Sequence, residues 1–276
     1  MTSGRARFFT IISTVGVVVT WQVVSLLAGR SPLTNQRLVP NAVDLARAFR
    51  HLAFYWPGGL GVATPRQGGH ATLAAAVLAL AYNSLATVLR LAAGLVLGTV
   101  VAVTLAVMIG WSSIFRRMFL LPSHMVRLLP LLALAPLFNL WFGSTERGAI
   151  LFVAFATFAI LFVVTLTALS NVPRQYAEYA QSLGATRLRA YVTVDLPAAV
   201  PGLRGGLLVA LGLGWSMAIA AEFLGQSSGL GNIVNQAQEF GQTNTVAVVG
   251  VVVMIYGVLT YRIAARGFDY LTRWSE

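Results

Sequence analysis

The sequence contains no cysteine and no lysine, and charged residues of every kind make up only 10% of its 276 positions. Without cysteine there is no disulfide, no thiolate nucleophile and no thiolate metal site. Without lysine there is no phosphate-binding P-loop amine and no Schiff-base chemistry, so any ATP this chain exploits must be bound by another subunit. Acid is scarcer still, with 8 Asp and Glu against 19 arginines and a formal charge of +11. In a soluble protein that surplus would suggest nucleic acid. Here the arginines fall largely between apolar runs, where membrane topology and anionic headgroups account for them, and no nucleic-acid partner is expected. The three histidines, His51, His70 and His124, share no ligand spacing, so no metal site is expected. No nucleophile, base and orienting acid form a recognisable catalytic set, and no catalytic residue is assigned.

What is present in abundance is apolar surface: 57% hydrophobic residues and a mean hydropathy of +0.77. Several apolar runs reach the roughly 20 residues that a helix needs to cross a bilayer. Lipid offers backbone groups no partners, so the spans must be helical. The expected fold is an all-α, polytopic bundle of about six transmembrane helices.

Along the chain, Arg5 and Arg7 precede an apolar run from Phe8 to about Ala28. Its length, and Trp21 and Gln22 within it, favour a retained first span over a cleaved signal. Residues 30 to 70 are the longest polar stretch. Pro40 and Asn41 open a short helix with Val43, Ala46, Phe49 and Leu52 on one face and Asp44, Arg47 and Arg50 on the other, which suits a membrane surface. Pro57, Gly58, Gly59, Pro65, Gly68 and Gly69 then read as a connector. The remaining spans are expected near Tyr82–Gly110 with a separate lead-in, Met118–Trp141, Gly148–Leu169, Pro201–Phe223 and Asn244–Ile263. The third is interrupted by Pro122, Pro130 and Pro136, which either break the helix at a pathway or are simply tolerated. This divides the chain into residues 1–79, a first span plus outer loop, and residues 80–276, the membrane core with a polar loop at 171–200. With the N-terminus inside, cytoplasmic segments hold eleven of the arginines and outer segments six, with Arg90 and Arg127 inside spans. The bias points inward.

The loop at 171–200 is the most informative segment. A helix-forming stretch from Arg174 to Leu183 is interrupted by Gly184, resumes through Arg187 to Val194, and is expected to stop at Pro197, giving helix, bend, helix. Glycine at the bend permits the positive φ of a sharp reversal, and proline ends the second arm.

Two further features concern the membrane core. Gly202, Gly206, Ala210, Gly214, Ala218 and Glu222 follow one another at intervals of four. Such a stripe lets another helix approach closely or leaves room for a narrow pathway, and Gly94 and Gly98 in the second span form a similar pair. Glu222 is the one carboxylate within or at the edge of an expected span. It is either a gate residue or sits at the outer interface, solvated or bound to amides near Gly225. Trp215, Asn139 and Trp141 are candidate pathway residues or members of an interfacial belt.

Glu178, Ala180, Gly184, Ala185, Val194, Leu196 and Pro197 resemble the EAA loop of binding-protein-dependent ABC importer permeases, with Tyr179 where that motif has alanine. The resemblance extends over residues 80–276 through Asn83-Ser84-Leu85, Pro136-Leu137, Trp141-Phe142-Gly143, Trp215, Ala221-Glu222 and Gly229-Leu230-Gly231, and is closest to the nitrate, sulfonate and taurine branch. It implies the type I importer permease fold and a non-catalytic subunit of the bacterial inner membrane, with no cofactor of its own. It also implies a pair of cytoplasmic ATPases, each gripping one 171–200 loop, a second permease copy forming a homodimer, and an external solute-binding protein delivering a small oxyanion. The bottom-up alternative, drawn from Glu222 and the broken third span, is a carrier driven by an ion gradient.

Overall fold

The structure, a computed structural model, describes residues 3–30, 37–65 and 68–275. Arg66, one of the arginines assigned to the outer side, and Gln67 of the connector lie outside the described residues. In chain order the helices are α1 (Ser3–Leu27), α2 (Ala42–His51), α3 (Leu73–Gly110), α4 (Ser113–Arg127), α5 (Ala135–Phe142), α6 (Glu146–Asn171), α7 (Arg174–Ser182), α8 (Arg187–Ala190), α9 (Leu196–Ala199), α10 (Arg204–Phe223), α11 (Leu230–Glu239) and α12 (Thr243–Leu271). Among the described residues there is no strand, only an isolated bridge between Arg30 and Arg37. The fold is all-α, and the protein is a multi-pass membrane protein.

The helices long and apolar enough to cross a bilayer are α3, α6, α10 with the turns leading into it, and α12, with the α4–α5 pair as a fifth, broken crossing. Helix α1 adds 25 residues with an apolar stretch over Val15–Leu27. A count of six spans therefore takes α1 and the broken pair as one each. Three boundaries depart from the sequence expectation or decide what it left open. The lead-in before Tyr82 is no separate segment: α3 runs unbroken for 38 residues, because nothing between Leu73 and Gly110 breaks a helix. The third span, whose prolines left both outcomes open, is broken at Pro130 and not at Pro122. α4 passes through Pro122 and ends at Arg127, and the chain turns at Pro130 into a 3₁₀ turn over Leu131–Leu134 before the eight-residue α5, leaving the two apolar arms bent by 78°. Proline at 130 disfavours helical geometry at Leu129 before it.

The third correction concerns Pro197, where the second arm of the loop does not stop. After α8 the chain widens into a π turn over Tyr191–Asp195, continues as α9, tightens into a 3₁₀ turn over Val200–Leu203 and enters α10. Proline inside a regular α-helix would clash with the carbonyl four residues back. The wider turn, in which Leu196 N–H donates to Tyr191 O, relieves that crowding, and Pro201 is carried by the 3₁₀ turn.

The chain forms two compact units, one of residues 1–84 with 233–252 and one of residues 85–232 with 253–276. In the first, α2 is opened by a capping box, Asn41 Oδ1 accepting from Asp44 N–H at 2.7 Å while Asp44 Oδ2 accepts from Asn41 N–H at 3.3 Å. Its buried contact comes from Ala48, with Leu52 and Ala53 of the turn that follows; of the expected apolar face Leu52 is buried and Phe49 half-buried, while Val43 and Ala46 are exposed. In the second unit α6 is the centre. It is apolar on every side, and 72% of its most apolar stretch is buried, as a helix surrounded by others must be. α10 packs along it, with α4 and α5 against its flanks.

Candidate functional site: the 171–200 loop and a buried ion-pair node

The loop begins where α6 ends. Pro173 starts α7, whose nine residues leave Tyr176, Glu178 and Tyr179 exposed. α7 ends in a Schellman motif: Gly184 N–H donates to Gln181 O at 2.9 Å, and Ala185 N–H to Ala180 O at 3.0 Å. Gly184 has φ +90°, and a Cβ there would meet nothing within 4 Å. The requirement for glycine is therefore conformational, not steric. Thr186 caps α8, its hydroxyl accepting from Arg189 N–H at 3.3 Å. Leu183, 89% exposed, Leu188 and Tyr179 present exposed apolar surface. The base of the loop is held by Ala168, Leu169 and Ala199, packed with Val172, Tyr191, Leu196 and Leu203. Thus Glu178, Ala180, Gly184 and Ala185 lie on the projecting arm, while Leu196 and Pro197 belong to the seated base.

About 30 Å along α3 from Gly110, at 1.5 Å per residue, lies a second polar feature. Arg90, only 2% exposed, uses all five of its N–H donors. Nη1 donates to Glu222 Oε1 at 2.7 Å and to Ser228 O at 2.8 Å. Nη2 donates to Ser228 Oγ at 2.8 Å and to Glu146 Oε1, and Nε to Glu146 Oε2 at 2.6 Å. The planar fork engages Glu146 bidentately, which an ammonium group could not do. Glu222 is fully buried and accepts from Thr87 Oγ1 and from Gly231 N–H, each at 2.9 Å, while Leu230 N–H donates to Thr87 Oγ1 at 2.9 Å. The carboxylate thus sits at the N-terminus of α11, where free amides and the helix dipole favour negative charge. Gly229, at φ +110°, abuts the Glu222 carboxyl so closely that a Cβ would collide with it, and a Cβ on Gly231 would strike Ile219 O. The Gly229-Leu230-Gly231 run is shaped around this carboxylate.

The other sequence candidates are spread out. Trp215 is buried, its Nε1 donating to Thr260 Oγ1 at 3.0 Å and its ring stacked on Tyr256, so it joins α10 to α12. Asn139 donates to Leu224 O at 2.9 Å and accepts from Ser144 Oγ at 2.9 Å, tying α5 to the turn after α10. Trp141 is 62% exposed and lines an apolar groove of about 750 Å³ with Leu97, Val101, Phe138, Phe142 and Phe155. Of the glycines, Gly94 and Gly98 lie against Val153, Ala154 and Thr157 of α6. Gly202 faces Ala168, Gly206 faces Val164, and Gly214 faces Leu91 and Leu95. In each case a Cβ would sit at or within 3.0 Å of its neighbour. Sequence reasoning noted Arg90 and Glu222 separately but not as a pair, and missed Glu146, Thr87 and Ser228. Two opposite charges in apolar spans were the available signal.

An all-helical core, an exposed bent loop between α6 and α10, and a buried ion pair on α3 characterise a multi-pass membrane protein. Residues 94–271 match the family of binding-protein-dependent transport system inner membrane components, and the chain belongs to that family. It is 33% identical over 175 residues to the putative aliphatic sulfonates transport permease protein SsuC of Bacillus subtilis, covering 63% of each chain. It is 36% identical over 152 residues to the taurine transport system permease protein TauC of Escherichia coli, covering 55% of each. The chain thus spans less than two thirds of these relatives' length. Its fold resembles that of a solved structure of the MetNI methionine ABC transporter in inward-facing conformations, with a TM-score of 0.56 at 19% identity over 70% of this chain and 94% of that one.

Proposed function

We propose that the chain is the permease subunit of an ATP-driven importer in the bacterial inner membrane. In this reading it translocates a small oxyanion such as an aliphatic sulfonate, taurine or nitrate, delivered by an external solute-binding protein. Two cytoplasmic ATPases grip the 171–200 loops of two copies of the chain, supply the hydrolysis and bind the ATP, and the permease itself is non-catalytic. The observation that carries this reading is the loop. It leaves Tyr179, Leu183 and Leu188 exposed, and its second arm continues into α10 as one helical segment over Arg187–Phe223. Force applied to α8 is therefore delivered to a membrane-crossing helix without a slack linker between them. The names of the sulfonate and taurine relatives support the substrate class.

The ion-gradient carrier loses its main support because Glu222 already has three polar partners, Arg90, Thr87 and the Gly231 amide at the α11 N-terminus. The test is reconstitution of the chain in proteoliposomes with its co-purifying ATPase and binding protein, with labelled taurine as the probe. Uptake that requires ATP inside and is indifferent to an imposed ion gradient supports the importer. Uptake by the chain alone, driven by a gradient, overturns it.

A further inference from the structure

The loop is joined covalently to α6 and to α10, but the structure gives it a third attachment, to the end of α3. Tyr191, the first residue of the π turn, donates its hydroxyl to Val107 O at 2.8 Å. That carbonyl lies in the last turn of α3 and also accepts from Trp111 N–H at 3.2 Å. The Trp111 ring meets Tyr191 edge-on, with centroids 5.1 Å apart and planes at 76°. Arg187 of α8 lies over the other side of this assembly, its guanidinium carbon 5.2 Å from the Trp111 centroid. Gly110 completes the joint, since a Cβ there would stand 2.8 Å from Leu169 Cδ1 and 3.0 Å from the Tyr191 hydroxyl. One hydrogen bond, one aromatic edge contact and one cation–π contact thus converge within a single turn of α8 and the π turn.

We propose that Tyr191, Trp111 and Arg187 form an anchor that passes displacement of the 171–200 loop to α3, so that α3 travels with α6 and α10 instead of being dragged through its side contacts. This rests on the importer reading above and adds to it a route for the movement. Three features of the arrangement favour transmission over simple packing. The contacts are directional. They lie on the arm of the loop that is continuous with α10. And the helix they grip carries Arg90 near its midpoint, so the second half of α3, residues 90–110, is held to its neighbours at both ends while Val96, Val100 and Val101 between them face outward. A helix held at both ends moves as a rod, which suits a lever. Tyr191, Trp111 and Arg187 are positioning residues in this account and touch no solute.

The absence of native cysteine makes the test direct, because paired nitroxides can be placed by substitution alone. Labels at Gln181→Cys, on the exposed arm, and Val96→Cys, on the exposed face of α3, are introduced into the chain purified with its co-purifying ATPase in nanodiscs. The interspin distance is then measured with and without ATP plus vanadate. In the parent, the distance is expected to be the same in both conditions. In Trp111→Ala and in Tyr191→Phe, which removes only the hydroxyl, trapping is expected to shift or broaden it by about 2 Å, the scale of helix displacement in switching proteins. Trp111→Phe, which keeps an aromatic ring in the joint, should return the parent result. A shift already present in the parent, or variants that behave like the parent, would overturn the anchor. Preparations from which no ATPase is recovered would instead remove the importer reading and the anchor with it, so the two failures are distinguished before any distance is recorded.

Discussion

Truncation of Glu222 offers the most quantitative check on the structural account. Glu222→Ala removes one charge from a pair in which both side chains are sealed, Arg90 at 2% and Glu222 at 0% exposure. It strips the acceptor from one Arg90 Nη1–H, from the Thr87 hydroxyl and from Gly231 N–H. Each buried donor deprived of its acceptor costs about 1–3 kcal/mol. Arg90 retains Glu146 and both Ser228 oxygens, so its charge is not left bare. Three such losses span about 3–9 kcal/mol, and a loss of about 3–5 kcal/mol, typical of breaking a buried pair from one side, lies at the lower end of that range. Glu146→Ala removes a carboxylate that is 62% exposed, and water can reach the vacated position, so about 1 kcal/mol is expected after allowing for solvent screening. The double change Arg90→Met with Glu222→Met should cost less than Glu222→Ala, because the donor left without its acceptor on Arg90 is removed with the charge and the methionine side chains refill the volume. Denaturation by sodium dodecyl sulfate in mixed micelles, followed by tryptophan fluorescence, reads all three. Equal losses for Glu222→Ala and Glu146→Ala, or a Glu222→Ala loss below about 1 kcal/mol, would refute the reasoning, since surface changes lie within about 0.5 kcal/mol of zero.

Gly184→Val places a β-branched residue at φ +90° and should cost about 1–3 kcal/mol of local strain, loosening the bend and reducing ATPase recruitment while the membrane core stays folded; normal recruitment measured by co-purification would contradict this. In α10, Gly206→Leu should destabilise by about 1–3 kcal/mol because a Cβ already meets Val164 Cγ1 at 2.6 Å. Gly212→Ala, with nothing within 4 Å, should be neutral or stabilising by up to about 1 kcal/mol, and the same unfolding assay separates the two.

The all-α membrane architecture was legible because it follows from composition and run length, which are local properties. The bend at Gly184 was legible too, since a glycine between two helix-forming stretches has few other uses. Where the reading failed, the determinant was either non-local or a compensation. Pro197 looked like a stop because proline ends regular helices, but a π turn four residues earlier makes room for it, and nothing in residue spacing announces a π turn. The unbroken length of α3 was hidden because an apolar run of 38 residues exceeds any single crossing. The ion-pair node was missed because Arg90 and Glu222 are far apart in sequence and Glu146 falls between the expected spans Met118–Trp141 and Gly148–Leu169. Only packing of α3, α6 and α10 brings the three together, and only then do Gly229 and Gly231 acquire a reason.

The central claim, that the 171–200 loop is where an ATPase takes hold, is tested most directly by purifying the tagged chain in mild detergent from its native membrane beside Leu183→Asp. Leu183 is 89% exposed, so the variant should fold like the parent. The account predicts that an ATP-binding subunit co-purifies with the parent and is lost, by about tenfold or more, when a charge must be buried at the docking surface, equivalent to about 1.4 kcal/mol or more. Equal recovery of that subunit with both chains would contradict it, as would recovery of the folded parent chain alone.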